Sequence, residues 1–233
     1  MSASEPRSLR AVRDGSKLIE LSHPIRHGMI THPGLPGPTI GDHLSWEDSH
    51  SRYAPGTEFQ IGAMTLVANT GTYIDAPAHR YRSGSDLAGL GLASLVNLPS
   101  VVVRVPPDTV RIDRKLLGAY HVDGMAVLIH TGWDQHWGTA TYGGGGHPYV
   151  TLDGAAQLAE AGATLVGIDS VNIDDFEDGT RPAHSTLLSH AIPIVEHLRG
   201  LEQLPSDGFR FFAAPPLIEG MATFPVRAFA LVD

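Results

Sequence analysis

Apolar residues gather along this chain in short runs, too brief for long helices and too continuous for solvated loops. Ser100–Val105, Met125–His130 and Thr164–Ile168 are rich in Val, Ile and Leu, the pattern of strands buried on both faces. Lys17–Leu21 and Phe59–Ala68 read as further strands, and Ile192–Val195, Phe209–Ala214 and Val226–Val232 as shorter ones. Helical spacing recurs between them. Thr151–Ala161 predicts an amphipathic helix, with Thr151 as N-cap and Gly162 as its stop. Shorter helical segments are expected at Asp86–Ala93, Arg111–Gly118, His184–Ser189 and Glu196–Leu204. Strand and helix alternate in the second half, which predicts an α/β fold with a mixed sheet.

The remaining stretches have no clean period. Residues 28–57, rich in Gly, Pro and His, predict a long ordered loop that serves as a lid or as an arm on a neighbour. Thr131–Trp137 and the run Gly143–Gly146 read as loops. Residues 1–16 are polar and are expected to be mobile. No repeat or linker divides residues 17–233, so one domain is expected.

Composition narrows the function classes. Hydrophobic residues make up 42% of the 233-residue chain and charged residues only 18%, a sparse charge that suits a surface partly hidden in a homo-oligomer. The net charge of -9 and the scattered Arg residues form no basic stripe, which argues against nucleic acid. No amphipathic basic surface or long apolar run points to a membrane. There is no cysteine, which removes disulfides, thiolate nucleophiles and Cys-ligated zinc. A polar start without an apolar leader fits a cytoplasmic protein.

The candidate chemistry centres on Asn69-Thr-Gly-Thr-Tyr-Ile-Asp75-Ala-Pro-Ala-His79. It follows the Phe59–Ala68 run, and short turns at strand ends are where α/β proteins place their chemistry. Asp75 and His79 sit close enough to share a site, as metal ligands or as an acid/base pair. The bland alternative is an Asp capping a turn and a His bonded to backbone. Thr70 and Thr72 add donors for an anion or a carbonyl oxygen. His184 and Glu196 form a second pair, with Glu196 just after the apolar Ala191–Val195. Asp169, Ser170, Asn172, Asp174 and Asp175 make a polar cluster after a buried strand, read either as a supporting wall or as a solvated loop. Trp46, Trp133 and Trp137 are candidates for an aromatic pocket or for simple packing. Nucleophile-elbow, phosphate-loop and dinucleotide motifs are absent.

These segments resemble the cyclase family that includes bacterial kynurenine formamidase and isatin hydrolase. The likeness runs through Leu21–Ile25, Gly71–His79, Val127–Trp133, Val166–Ser170, and from Ala183 and His184 to Pro193–Glu196. It implies an α/β fold of the swivelling β/β/α type, a homodimer or homotetramer, and hydrolysis of a C–N bond in a small aromatic or heterocyclic amide, formamide or lactam. The family motif is His-x-Gly-Thr-His-x-Asp-x-Pro-x-His. Its first two His and the Asp hold one metal. In two-metal members the Asp, the last His and a downstream His and Glu hold a second. Asp75 and His79 match the motif Asp and last His, and His184 and Glu196 match the downstream pair. Asn69 and Tyr73 stand where the first two His belong, and a neutral phenol of pKa about 10 is a poor ligand.

The resemblance therefore implies one divalent ion, Zn or Mn, among Asp75, His79, His184 and Glu196. A metal-independent cyclase, dehydratase or isomerase is the alternative. There Asp75, His79, His184 and Glu196 act as acid/base groups, Tyr73 donates a hydrogen bond, and Asn69 and Thr72 hold the substrate beside Trp46 and Trp133. A non-catalytic small-molecule-binding homologue is the third expectation, motivated by the two lost His.

Overall fold

Runs of Val, Ile and Leu form the centre of a nine-stranded sheet in the computed structural model, which describes residues 15–233. All but the last two residues of the expected mobile segment 1–16 lie outside the described residues. In chain order the strands are β1 (Lys17–Glu20), β2 (Thr39–Leu44), β3 (Ile61–Thr65), β4 (Tyr73–Asp75), β5 (Leu98–Arg104), β6 (Arg111–Ile112), β7 (Ala126–His130), β8 (Tyr149–Val150), β9 (Leu165–Ile168), β10 (Ile194–Glu196), β11 (Phe209–Phe212), β12 (Thr223–Pro225) and β13 (Phe229–Val232). The helices are α1 (Trp46–Ser49), α2 (Arg114–Leu117), α3 (Leu152–Glu160) and α4 (Pro182–Ser189).

The sheet runs β1-β13-β11-β5-β7-β9-β10-β4-β12. Its middle strands, β5, β7, β9 and β10, are parallel. Antiparallel pairs close both sides, with β11, β13 and β1 beyond β5, and β4 and β12 beyond β10. Each face has its own core. Val103, Val127, Ile129 and Val166 meet Leu117, Leu158 and Leu187 from the helices. Ile74, Leu128 and Val195 point the other way, to Leu21, Phe209 and Phe211. The result is one α/β domain with a mixed sheet flanked by helices, of the swivelling β/β/α kind.

α3 ends as expected. Thr151 accepts from Gly154 N at its start, and the chain reverses through Gly162 at φ +82°, a conformation that favours glycine. Other expectations need correction. Residues 28–57 are not all loop, because β2 and α1 lie within them. The Phe59–Ala68 strand shrinks to β3 and pairs with β2 in a separate two-stranded sheet, outside the central one. Apart from Leu44, the residues of both strands are exposed, so no buried face imposed an alternating pattern. The helix expected at Glu196–Leu204 does not form. Glu196 ends β10, His197 and Gly200 turn left-handed at φ 58° and 70°, and only a 3-10 turn at Leu201–Gln203 remains. Asp86–Ala93 is likewise mostly turn, tied by Gly89 N and Gly220 N to the Asp86 carboxylate.

Candidate functional site

The site grows from one strand. Side chains along β4 alternate, so Ile74 enters the apolar core while Tyr73 and Asp75 share the face that α4 covers. β4 lies between β10 and β12. Register sets Tyr73 opposite Glu196 and Asp75 opposite Thr223. Both pairs are bonded across the strands: Tyr73 Oη donates to Glu196 Oε2 at 2.5 Å, and Thr223 Oγ1 donates to Asp75 Oδ1 at 2.6 Å.

After β4 the 3-10 turn Pro77–His79 brings His79 back toward Asp75. Gly84 packs so closely on Pro77 that a Cβ there would lie 2.7 Å from the Pro77 carbonyl carbon. His79 Nδ1 stands 2.9 Å from Thr223 Oγ1 and 3.8 Å from Asp75 Oδ1. Thr223 gives its only proton to the carboxylate, so His79 Nδ1–H is the donor in the second contact. That leaves the lone pair of His79 on Nε2.

His184 arrives from α4. Asp174 fixes the helix start, with Oδ1 accepting from Ala183 N and Oδ2 from His184 N. Oδ2 also takes His184 Nδ1–H at 2.7 Å. His184 Nε2 then faces Asp75 Oδ2 at 3.5 Å and Glu196 Oε1 at 3.7 Å. A bare lone pair there would oppose two buried carboxylates, so the arrangement calls for positive charge at this point. Burial lowers the His184 pKa, but the bond to Asp174 and the nearby carboxylates of Asp75 and Glu196 outweigh it and raise it to about 10, so without a metal ion Nε2 carries a proton. Glu196 is raised to about 7, first by burial and then by Asp75, against the pull of His184, Tyr73 and Ile173 N. Burial, then Glu196 and Asp75, hold the Tyr73 phenol well above its ordinary value, so it stays a neutral donor.

Asp75, His79 and His184 form a candidate three-residue metal site, their donor atoms all within 4.8 Å of one another. One observation fits a cation in particular. Asp75 Oδ2 is buried and has no hydrogen-bond partner in the protein. Glu196 adjoins the cluster, but both its oxygens are engaged, by Tyr73 Oη and by Ile173 N at 2.7 Å. The expected set of four ligands thus becomes a triad with a neighbouring carboxylate.

These groups open into a cavity of about 580 Å³ that Asn69, Tyr73, His79, His184 and Glu196 help to line. Asn69 and Tyr73, the two residues standing in for family His, both line the cavity, and the neutral Tyr73 phenol ends on Glu196. Thr72 does not reach the cavity as a substrate contact. It is buried, donates to His197 O and accepts from His23 N. Trp46 and Trp133 are not among the lining residues either. Trp46 is half exposed on α1, and Trp133 donates to Tyr142 O and packs on His136. Of the polar cluster, Asn172 lines the cavity and Asp174 orients His184, whereas Asp169 is sealed by Thr131 and Gly132. Thr223, His32 and Arg181 were missed, and no local motif marks them; they reach the site only through tertiary placement.

A family model described as "Putative cyclase" matches residues 19–175. Kynurenine formamidase of Bacillus mycoides (strain KBAB4) is 28% identical over 218 residues, covering 91% of this chain and 96% of that protein. Kynurenine formamidase of Salinibacter ruber (strain DSM 13855 / M31) is 29% identical, covering 91% of this chain and 95% of its own. Among solved structures, isatin hydrolase A from Ralstonia solanacearum matches with a TM-score of 0.80 over 100% of each chain, at 22% identity, a likeness of fold.

Proposed function

We propose that this chain, which belongs to the cyclase family, hydrolyses a C–N bond in a small amide, formamide or lactam. The orphaned, buried Asp75 Oδ2 carries the reading: it has no hydrogen-bond partner and lies 3.5 Å from His184 Nε2, where an ion held by both would satisfy it. Similarity to kynurenine formamidases along nine-tenths of the chain supports the reaction class. Asp75, His79 and His184 would hold a zinc or manganese ion, which would supply carbonyl polarisation and a water of lowered pKa.

The chain's own residues divide the remaining work. Asp174 and Thr223 hold proton-bearing Nδ1 atoms on His184 and His79, so each Nε2 is the atom that would meet the ion, that of His184 after giving up its proton. Three protein ligands leave room for water and substrate, as a catalytic site requires. Glu196, whose carboxyl is pushed above its ordinary range by burial and is hydrogen-bonded to Tyr73, takes the proton from the attacking water and returns it to the leaving nitrogen. Asn69 and Tyr73 occupy the place of the family's other metal site, so this chain takes one ion.

Elemental analysis and calorimetric titration test this reading together. About one zinc or manganese per chain is expected, and His79→Ala should abolish it. Protein that binds neither ion in either measurement refutes the metal assignment, and loss of formanilide hydrolysis on chelation tests the reaction itself.

The β2–β3 arm is proposed to dock on a second copy of the chain. It exposes Ile40, Phe59, Ile61 and Met64, with Trp46 nearby on α1. Light scattering should give a dimer or tetramer for the wild type and a smaller species for Ile61→Lys.

A further inference from the structure

We infer that Arg80 and Arg181 form a clamp for a carboxylate carried by the substrate, separate from the C–N bond that reacts. Both residues line the cavity that holds His79, His184 and Glu196. Neither is spent on an acid. Among the described residues the arginine ion pairs are Arg114–Glu160 and Arg227–Glu20. Arg80 Nε donates to the neutral Ser185 Oγ at 3.0 Å, and Arg181 donates through one terminal nitrogen to the Asp175 carbonyl at 3.1 Å. Each keeps further N–H donors free.

Both are also held in place from behind. The Arg80 guanidinium lies 5.2 Å from the Tyr81 ring centre and that of Arg181 6.0 Å from Phe176. His32 packs edge-on against the same Phe176 at 5.0 Å and lines the same cavity. Arg181 is left-handed, at φ 49° and ψ 61°, immediately before α4. A non-glycine residue keeps such a backbone at a cost, and strained positions of this kind gather at functional sites.

The electrostatic setting makes the occupant specific. The chain carries a net charge of -9, and the cavity is lined by the carboxyl of Glu196, with that of Asp75 buried beside it. An anion entering there needs its own counter-charge, and two planar arginine forks match a carboxylate. The substrate class is therefore an amide or lactam that bears a carboxylate beyond the scissile bond. This deepens the hydrolase reading and rests on it for the identity of the occupant.

Calorimetry with benzoate and its neutral isostere benzamide tests the clamp without turnover, so its failure is distinct from a failure of hydrolysis. Benzoate should bind the wild type about 10-fold or more tightly than benzamide, the strength of charge-assisted hydrogen bonds. Arg80→Met and Arg181→Gly should each weaken benzoate by about 10-fold and leave benzamide unchanged. Glycine suits the left-handed backbone at 181; if that variant unfolds, Arg80→Met, which lies outside the α4 turn, decides. Equal binding of the two probes overturns the clamp, as does no benzoate binding. A benzoate affinity indifferent to both substitutions places the carboxylate on the metal triad instead and overturns it too.

Discussion

Asp174→Asn isolates what the buried carboxylate behind His184 does, because it keeps the shape and removes one acceptor. In the wild type Oδ1 accepts from Ala183 N at 2.6 Å, while Oδ2 accepts from His184 N at 3.1 Å and from His184 Nδ1 at 2.7 Å. An amide offers one oxygen and one NH2 group for these three donors. With its oxygen on the helix amides, the NH2 faces His184 Nδ1, which must then give up its proton to Nε2. The Nε2 lone pair that an ion would take is then lost. With the oxygen on His184, the Ala183 N–H is left buried and unpaired, at a cost of about 1–3 kcal/mol. Urea unfolding of the metal-free variant should show a loss of that order. Competition with a chelating dye should show zinc affinity reduced by about 10- to 100-fold, the usual effect of removing a group that orients a histidine ligand. Wild-type zinc affinity in Asp174→Asn would refute both the tautomer argument and the assignment of His184 as a ligand.

Thr223→Val deletes the hydroxyl that joins Asp75 to His79. Zinc affinity should fall by about 10-fold by titration calorimetry, with Thr223→Ser close to wild type; an unaffected Val variant speaks against the shared hydroxyl. Tyr73→Phe leaves Glu196 Oε2 buried without its donor. The melting temperature should drop by the equivalent of about 1–3 kcal/mol, and an unchanged melt excludes a stabilising bond. His23 is held down to about 3 from 6.5, first by burial and then by Arg199 and Arg26. Within that window the unfolded chain binds a proton that the folded chain refuses, so stability is full above the window and is lost as pH falls through it. His23→Phe keeps the stack on Trp137 and should flatten the stability–pH slope by up to about 1.4 kcal/mol per pH unit. An identical slope in wild type and variant would remove His23 from the account.

Legibility followed the range of the forces involved. β5, β7 and β9 were readable because burial on both sides writes continuous apolar runs into the chain. Asp75 and His79 were readable because both lie in one turn, and His184 and Glu196 through the family pattern. The groups that orient them were not. Thr223 meets Asp75 across 148 positions of sequence, through strand register that no local period encodes. Asp174 was visible as part of a polar cluster, yet its bond to His184 depends on where α4 begins. Thr72 misled because a hydroxyl beside a motif looks available, when backbone groups from distant loops already use it. Glu196–Leu204 misled because helix-forming composition says nothing of a left-handed His197.

Ile74 lies between Tyr73 and Asp75 in sequence and on the opposite face of β4 in space. Core and chemistry are thus interleaved on a single three-residue strand. A slip of one residue would thrust a carboxylate and a phenol into the apolar layer and offer an isoleucine to the metal ligands. Misassembly of the site is therefore also misassembly of the core, and it is rejected by the same energy that drives folding. Chains that reach the folded state arrive with their ligands correctly presented, and a change of length just before β4 must be absorbed in the preceding loop.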